Sequence, residues 1–341
     1  MIPRDRDFIK TKENLLFCIV GYLHPPDKYT AYLKYIPSKR GKWGSSQRYR
    51  RILKYYHAIK VYETIDFLSK YYPHYVHYCP VRKIKMSMVP KDMVTRYYNS
   101  QERLAEIINS DERDKLEEEV KGLVERLEEI SGLSPENFGV TGSILTGIHN
   151  PHFSDIDLTV YGIKESLLLK EVLIELKDDP LIRRLTLPKL KEMARKISRH
   201  FDISWNDAWN IACRRWNYGY FGERYFSIHP VRKYEEITYR YGDEVYEPLG
   251  VIEGEANVSD ASESLFLPAI YRIEDVHTNR DVSDLRMIVS FEGLFSGICD
   301  EGEKIRFKGK LEKVLTRDGS AYHRVVIGSA EVPDNYLVPV V

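Results

Sequence analysis

The spacing of hydrophobic and polar positions changes along the chain. LLFCIVGYL (15–23) is a continuous apolar run typical of a buried strand, and YTAYLKYI (29–36) alternates as a returning strand does. A helix is predicted over 52–72, and a second one from Ser110, which can cap it, to Gly132, which can end it. The first part of the chain therefore mixes strands and helices.

The middle of the chain keeps this mixture, and the last third loses it. Strands are predicted at 138–141, 156–162 and 224–231, with helices at 164–177 and within 188–215. After that come only short alternating strands separated by Gly, Asp and Ser turns, which predict a small closed β-barrel. We therefore predict an α+β fold in three consecutive domains: a Tyr-rich α/β domain (1–100), a core with a mixed sheet and helices (101–235) and a β-barrel (236–341).

Charged residues are distributed very unevenly along the chain. The net charge is zero, but residues 1–100 hold 20 Lys and Arg against 7 Asp and Glu, whereas residues 234–341 hold 11 against 21. The basic third contains a Gly/Ser-rich loop whose cations and aromatics alternate: Lys39, Arg40, Lys42, Trp43, Arg48, Tyr49, Arg50 and Arg51. Cations bind phosphates and aromatic rings stack on unpaired bases, so residues 1–100 are predicted to bind RNA or another polyanion. The alternative is a solvated basic surface.

Other features narrow the class of protein. No apolar run approaches the roughly 20 residues that cross a bilayer, and MIPRDRDFIKTKEN lacks the apolar core of a signal peptide, so a cytoplasmic protein without membrane contact is expected. The four cysteines are far apart and form no Cys-x-x-Cys pair, which favours free thiols over a zinc site or disulfides. Two glutamines beside many charged residues favour a thermophilic source.

Candidate chemistry is concentrated between Val140 and Val160. A strand delivers Gly142-Ser143 to the start of a short helix, where backbone N–H groups and the Ser143 hydroxyl can hold a phosphate. Eleven residues then separate Ser143 from Asp155, and Asp157 follows on a strand, with both carboxylates on one face. Two adjacent carboxylates repel each other, and Mg²⁺ bridging them to phosphate oxygens would neutralise them. The structural alternative is a serine cap beside a solvated strand edge.

This pattern resembles the DNA-polymerase-β-like nucleotidyltransferase superfamily, whose signature is hydrophobic-Gly-Ser, about ten residues, then Asp-hydrophobic-Asp. The resemblance covers 138–162, the order of elements over about 100–233 is compatible, and Gly147 matches a glycine common after the Gly-Ser pair. The basic arm and barrel look like those of a predicted archaeal nucleotidyltransferase group.

The resemblance implies a nucleotidyltransferase-type mixed sheet, Mg²⁺ (or Mn²⁺) held by Asp155 and Asp157, and the β- and γ-phosphates of an NTP held by Gly142 and Ser143. The implied reaction transfers a nucleoside monophosphate from the NTP to an acceptor hydroxyl and releases pyrophosphate. The basic arm favours RNA as the acceptor. Adenylylation of a protein or small molecule is one alternative, and a catalytically silent RNA-binding protein with a degenerate transferase core is the other.

The resemblance also implies a third acid on a later strand, where this chain has none. The alternating positions of strand 224–231 hold Ser227 and His229. We rank His229 first as the base that deprotonates the acceptor, then Asp202, then Glu223. Further candidates are interpreted as structural or solvated rather than functional: His149 and His152 in the loop, and Lys189, Lys191, Arg195 and Lys196 on a helix.

Overall fold

The computed structural model describes residues 3–53 and 57–340, except for the side chain of Ile59, and the fold is mixed α+β as predicted. Across these residues the chain forms seven α-helices: α1 (Ala58–Tyr71), α2 (Ser100–Asn109), α3 (Lys115–Ser131), α4 (Gly142–Leu145), α5 (Ile163–Glu175), α6 (Leu187–Phe201) and α7 (Trp205–Arg214). Of the helix predicted over 52–72, residues 54–56 lie outside the described part. No helix in the described part is long and apolar enough to span a membrane.

The start of α3 differs from the prediction. Asp114, not Ser110, caps the helix: its carboxylate accepts from the backbone N–H of Leu116 and Glu117, and the Glu117 side chain accepts from the N–H of Asp114. This reciprocal pair satisfies more of the unpaired N–H groups than a serine would, because both ends of the capping box are bonded. Gly132 ends the helix in the left-handed conformation, as predicted.

The N-terminal sheet is antiparallel along the pairings described. Its strands are β1 (Phe8–Thr11), β2 (Leu16–Ile19), β3 (Lys28–Pro37), β4 (Tyr49–Arg51), β5 (Val76–Cys79), β6 (Ile84–Pro90) and β7 (Val94–Tyr98). The order is β5-β6-β3-β2-β1-β7, with β4 paired to β3. Every residue of β2 is buried, as its apolar run predicted.

A second sheet carries the residues singled out by the sequence. Its strands are β8 (Phe138–Val140), β9 (Ile156–Tyr161), β10 (Ile182–Arg184), β11 (Tyr218–Phe221) and β12 (Arg224–Val231), in the order β10-β11-β12-β9-β8. The β12–β9 pair is parallel and the other pairs are antiparallel. Helix α5 connects onward from β9 and packs against β9 and β12, so this sheet has helical cover beside its central pair.

The last third closes into a five-stranded barrel, which confirms the predicted architecture. The strands are β13 (Glu244–Asp260), β14 (Ala269–Thr278), β15 (Leu285–Ser290), β16 (Lys304–Thr316), β17 (Ala321–Ile327) and β18 (Tyr336–Pro339). The ring runs β13-β14-β15-β17-β16 and returns to β13, while β18 extends it from β16. The barrel core includes Ile252, Phe307 and Val325, and it is continuous with Phe201 of α6 and Ile211 of α7.

The chain folds into two compact units, each built from three separate stretches of sequence. The first unit comprises Met1–Lys54, Ser87–Leu185 and Trp216–Ile237, and the second comprises Tyr55–Met86, Thr186–Arg215 and Thr238–Val341. These units divide the chain differently from the three consecutive domains predicted. The carboxylate pair, the Gly-Ser turn and most of the N-terminal sheet therefore belong to one unit.

Candidate active site

The Gly-Ser turn is shaped around one carboxylate. After β8, the backbone N–H of Thr141 donates to the Asp157 carbonyl at 2.8 Å, and Gly142 follows with φ +67°. A Cβ added at Gly142 would lie 2.7 Å from Oδ2 of Asp157. Only glycine adopts this backbone conformation without strain and also leaves room for the carboxylate. Gly142 thus lets the Asp157 side chain lie directly against the turn.

The segment between the turn and the aspartates is held by hydrogen bonds. The Ser154 hydroxyl accepts from the backbone N–H of Asn150 at 3.0 Å and lies 3.5 Å from the hydroxyl of the buried Ser143. Arg224, at the start of β12, donates to the carbonyls of Ser154 (3.0 Å) and Pro151 (2.8 Å). Sequence reasoning did not assign Arg224 a role, although an arginine opening an apolar strand was the available signal. Arg224 fixes the residues that immediately precede Asp155.

Asp155 and Asp157 are separated by one residue of extended chain. Asp155 is exposed just before β9, Asp157 is half-buried within β9, and Ile156 and Leu158 between and after them are fully buried. The apolar residues therefore point into the core as predicted. Alternation along β9 places the Asp157 carboxylate on the opposite side, and Asp155 immediately precedes the strand.

Strand β12 adds a hydroxyl and an imidazole to the same place. Ser227 is the register partner of Asp157, and its hydroxyl donates to Oδ1 of Asp157 at 2.6 Å. Nε2 of His229 lies 3.0 Å from the Ser227 hydroxyl. Ser227 therefore lies against Asp157, with His229 next to it. Because the single Ser227 proton is directed to a carboxylate, Nε2 of His229 must carry the hydrogen of the second bond.

Asp202 and Glu223 are the two alternatives for a third acid. Asp202 follows α6 in the second unit, in a left-handed conformation with φ 51°, and Glu223 is exposed and paired with Arg183 at 2.6 Å. Among the residues that the structure describes, no group of three His, Cys, Asp or Glu side chains is placed to hold a metal ion. The described site is a pair of carboxylates supported by a serine.

The remaining candidates have structural partners or lie in the other unit. Nε2 of His149 is 2.7 Å from the Asp114 carboxylate that caps α3, and His152 is exposed in the turn after Asn150. Lys189 and Lys196 pair with Glu192 on α6. These two lysines, together with Lys191 and Arg195 of the same helix, belong to the second unit and not to the unit of the carboxylates.

Two cations of the N-terminal sheet, Lys34 and Arg51, have electrostatic interactions in this region that sequence reasoning did not identify. Burial lowers the pKa of Lys34, while the charge of Asp157 is among those that oppose the shift. Tyr35, the next residue, interacts electrostatically with both Arg51 and Asp157. Burial raises the pKa of Tyr35, and Arg51 partly reverses that effect. The signal in the sequence was a lysine at the centre of β3, where nearly every other residue is buried.

An aromatic wall joins the basic loop to the site. The Trp43 ring meets Phe153 edge-on at 5.8 Å, and the backbone N–H of Gly44 donates to the Ile148 carbonyl at 2.7 Å. Phe153 is 45% exposed, so one face of this wall is open to solvent. Tyr49, by contrast, is buried, so the stacking on bases predicted for its ring is wrong in this fold.

Comparison with known proteins gives one relative that covers the whole chain. No family model matches, and no solved structure is significantly similar. The chain is 30% identical over 344 residues to the uncharacterized protein MJ1086 of Methanocaldococcus jannaschii, across 100% of this chain and 99% of that protein. An alignment of that length and identity shows common ancestry over both compact units, and the chain belongs to the family of MJ1086.

Proposed function

We propose that this protein is a metal-dependent nucleotidyltransferase that moves a nucleoside monophosphate from an NTP to a hydroxyl of a polyanionic acceptor, RNA being the one its charge favours. The observation that carries the proposal is the Asp157 carboxylate lying against the α-carbon of Gly142, with Asp155 one residue away on the extended chain. A glycine turn that brings backbone N–H groups beside paired carboxylates suits a metal–phosphate complex better than a solvated strand edge.

The residues present fit a magnesium ion. Carboxylate oxygens are the protein ligands that Mg²⁺ prefers, and it takes only one or two of them when substrate phosphates supply others. Asp155 and Asp157 would hold the ion, and the missing side chain of Gly142 makes room for the Asp157 carboxylate beside the turn. The ion would neutralise negative charge that develops on the phosphate oxygens during transfer.

The other residues act by positioning. Gly142 and Ser143 would present backbone N–H groups to the β- and γ-phosphates, while Ser227 holds the Asp157 carboxylate in one orientation. His229, which donates from Nε2 to Ser227, fixes that hydroxyl in turn. In this arrangement Nε2 of His229 carries a hydrogen, so a neutral His229 could act as the base for the acceptor hydroxyl only through Nδ1, which then holds the lone pair of the ring.

The charge of the basic loop supports a polyanionic acceptor. The sequence of the loop, residues 38–51, contains no acidic residue. Five of its cations are exposed: Lys39, Arg40, Lys42, Arg48 and Arg50. The Trp43–Phe153 and Gly44–Ile148 contacts place this loop beside the segment that leads to Asp155. A nucleic acid bound by these cations would have its end within reach of the carboxylates, whereas a small acceptor would not require them.

The test is nucleotide binding and transfer by three proteins. Wild type, the Asp155→Asn/Asp157→Asn variant and the control Asp111→Asn, an exposed aspartate of the same unit, are titrated with each NTP in Mg²⁺ and incubated with labelled NTP and RNA. We expect Mg²⁺-dependent binding in wild type and control and its loss in the double variant. Unchanged affinity in the double variant would refute the site. Label on protein or a small molecule would replace RNA as the acceptor, and binding without transfer would indicate a silent RNA-binding protein.

A further inference from the structure

Arg51 differs from the other cations of the basic loop. Arg48 and Arg50 are exposed, but Arg51 is half-buried at the end of β4, where it pairs in register with Tyr35. Its guanidinium carbon lies 4.9 Å from the centre of the Trp43 ring and 5.8 Å from that of Tyr35. An arginine stacked on aromatic rings keeps its charge and its fork of N–H donors in a defined orientation.

The rings that hold Arg51 belong to the site. Trp43 contacts Phe153, and Phe153 is two residues before Asp155. Tyr35, the register partner of Arg51, also interacts electrostatically with Asp157. Arg51 is therefore oriented by the wall that borders the carboxylate pair.

Lys34 lies on β3, the strand that pairs with the strand of Arg51. Its Nζ lies 5.5 Å from the centre of the Phe8 ring, at the start of β1. Two residues earlier, the Arg6 carbonyl accepts from the hydroxyl of Thr141 at 2.6 Å, and Thr141 immediately precedes Gly142. Lys34 is half-buried, so its stem packs in the protein while its ammonium group can still meet a charged ligand.

The carboxylate pair alone would repel a triphosphate. In phosphoryl-transfer sites, lysine and arginine side chains stabilise the phosphate charge together with the metal. We propose that Arg51 and Lys34 bind the phosphates of the NTP, so that the N-terminal sheet supplies part of the nucleotide site. This inference rests on the proposed function. It assigns these two cations to the donor nucleotide and leaves the exposed cations of the loop for the acceptor.

The experiment compares Arg51→Met and Lys34→Met with Arg184→Met, a control at an exposed arginine on the edge strand β10 of the same unit. Methionine keeps an apolar stem of similar length and removes the charge together with the N–H donors. Affinity in Mg²⁺ is measured for the NTP that wild type binds and for inorganic tripolyphosphate as a probe of the phosphate subsite. We expect about tenfold to hundredfold weaker binding of both ligands in each of the two variants, and an unchanged control.

The outcomes separate the two proposals. Wild-type affinity for NTP and tripolyphosphate in folded Arg51→Met and Lys34→Met would overturn this inference and leave the proposed function standing. Failure of wild type to bind any NTP would overturn both. If Lys34→Met does not fold, Arg51→Met decides the matter, because its side chain is at the edge of the site.

Discussion

Replacing Gly142 by alanine is the sharpest perturbation of the candidate site. The substitution has two effects that can be separated. Alanine in the left-handed conformation at φ +67° costs about 1–2 kcal/mol. In addition, its Cβ would lie 2.7 Å from Oδ2 of Asp157, where ordinary contact begins at 3.4 Å, so the carboxylate must withdraw by roughly 0.7 Å.

Gly147 provides a matched control five residues away. Its φ is +66°, nearly the same as that of Gly142, but a Cβ added there meets nothing within 4 Å. Gly147→Ala therefore carries the backbone cost alone. The difference between the two variants isolates the contact with Asp157.

The expected results differ by readout. Urea denaturation gives a free energy of unfolding about 1–2 kcal/mol lower in Gly147→Ala, and lower still in Gly142→Ala. Mg²⁺-dependent NTP affinity stays at the wild-type value in Gly147→Ala. It falls by about ten- to a hundredfold in Gly142→Ala, because disturbing the groups that orient a metal ligand typically costs about 10- to 100-fold in metal affinity.

Equal NTP binding by the two alanine variants would refute the reasoning. It would mean that Gly142 serves only the backbone and that the position of the Asp157 carboxylate does not matter for the ligand. If both variants lost NTP binding to the same degree, the loss would come from the backbone of the turn as a whole and not from the Asp157 carboxylate.

Two further predictions concern other parts of the first unit. Burial raises the pKa of Asp5 from 3.8 to about 6, so the folded protein holds this proton more tightly, and the free energy of unfolding should fall by up to about 3 kcal/mol as pH rises from about 4 to 7. Asp5→Asn, which can keep the bond from the Gly21 N–H, should flatten that decline in denaturation curves; an equal slope in both proteins would contradict it. For RNA, Arg48→Gln/Arg50→Gln should reduce the slope of log affinity against log salt by about 1.4, if each cation contacts one phosphate of a single strand. Absence of RNA binding at low salt would remove RNA as the acceptor.

Local pattern was sufficient for the carboxylate strand and its neighbour. The strand predicted at 224–231 is β12 residue for residue, and alternation alone placed Ser227 opposite Asp157. These features depend on the twofold repeat of a strand, which a sequence displays directly.

The features that sequence reasoning missed depend on tertiary structure. YTAYLKYI was interpreted as a strand with one polar face, but β3 is buried along nearly its whole length, so Lys34 is not a solvated residue. Arg51 was grouped with Arg48 and Arg50 because charge looks the same along a loop, whereas stacking on Trp43 depends on how that loop folds back.

The interleaving of the two units has a consequence for how such a chain can be inherited. The barrel core includes Phe201 and Ile211, which precede the barrel in sequence by more than 30 residues and are separated from it by β11 and β12 of the other unit. Truncation after residue 237 would strip the apolar partners from α6 and α7, and expression of 238–341 alone would expose the barrel's own interior. Neither unit is encoded by one continuous segment that could be exchanged between genes. A relative that aligns over 99% of its length agrees with inheritance of the chain as a whole, because a cut after residue 237 would divide the core of the second unit.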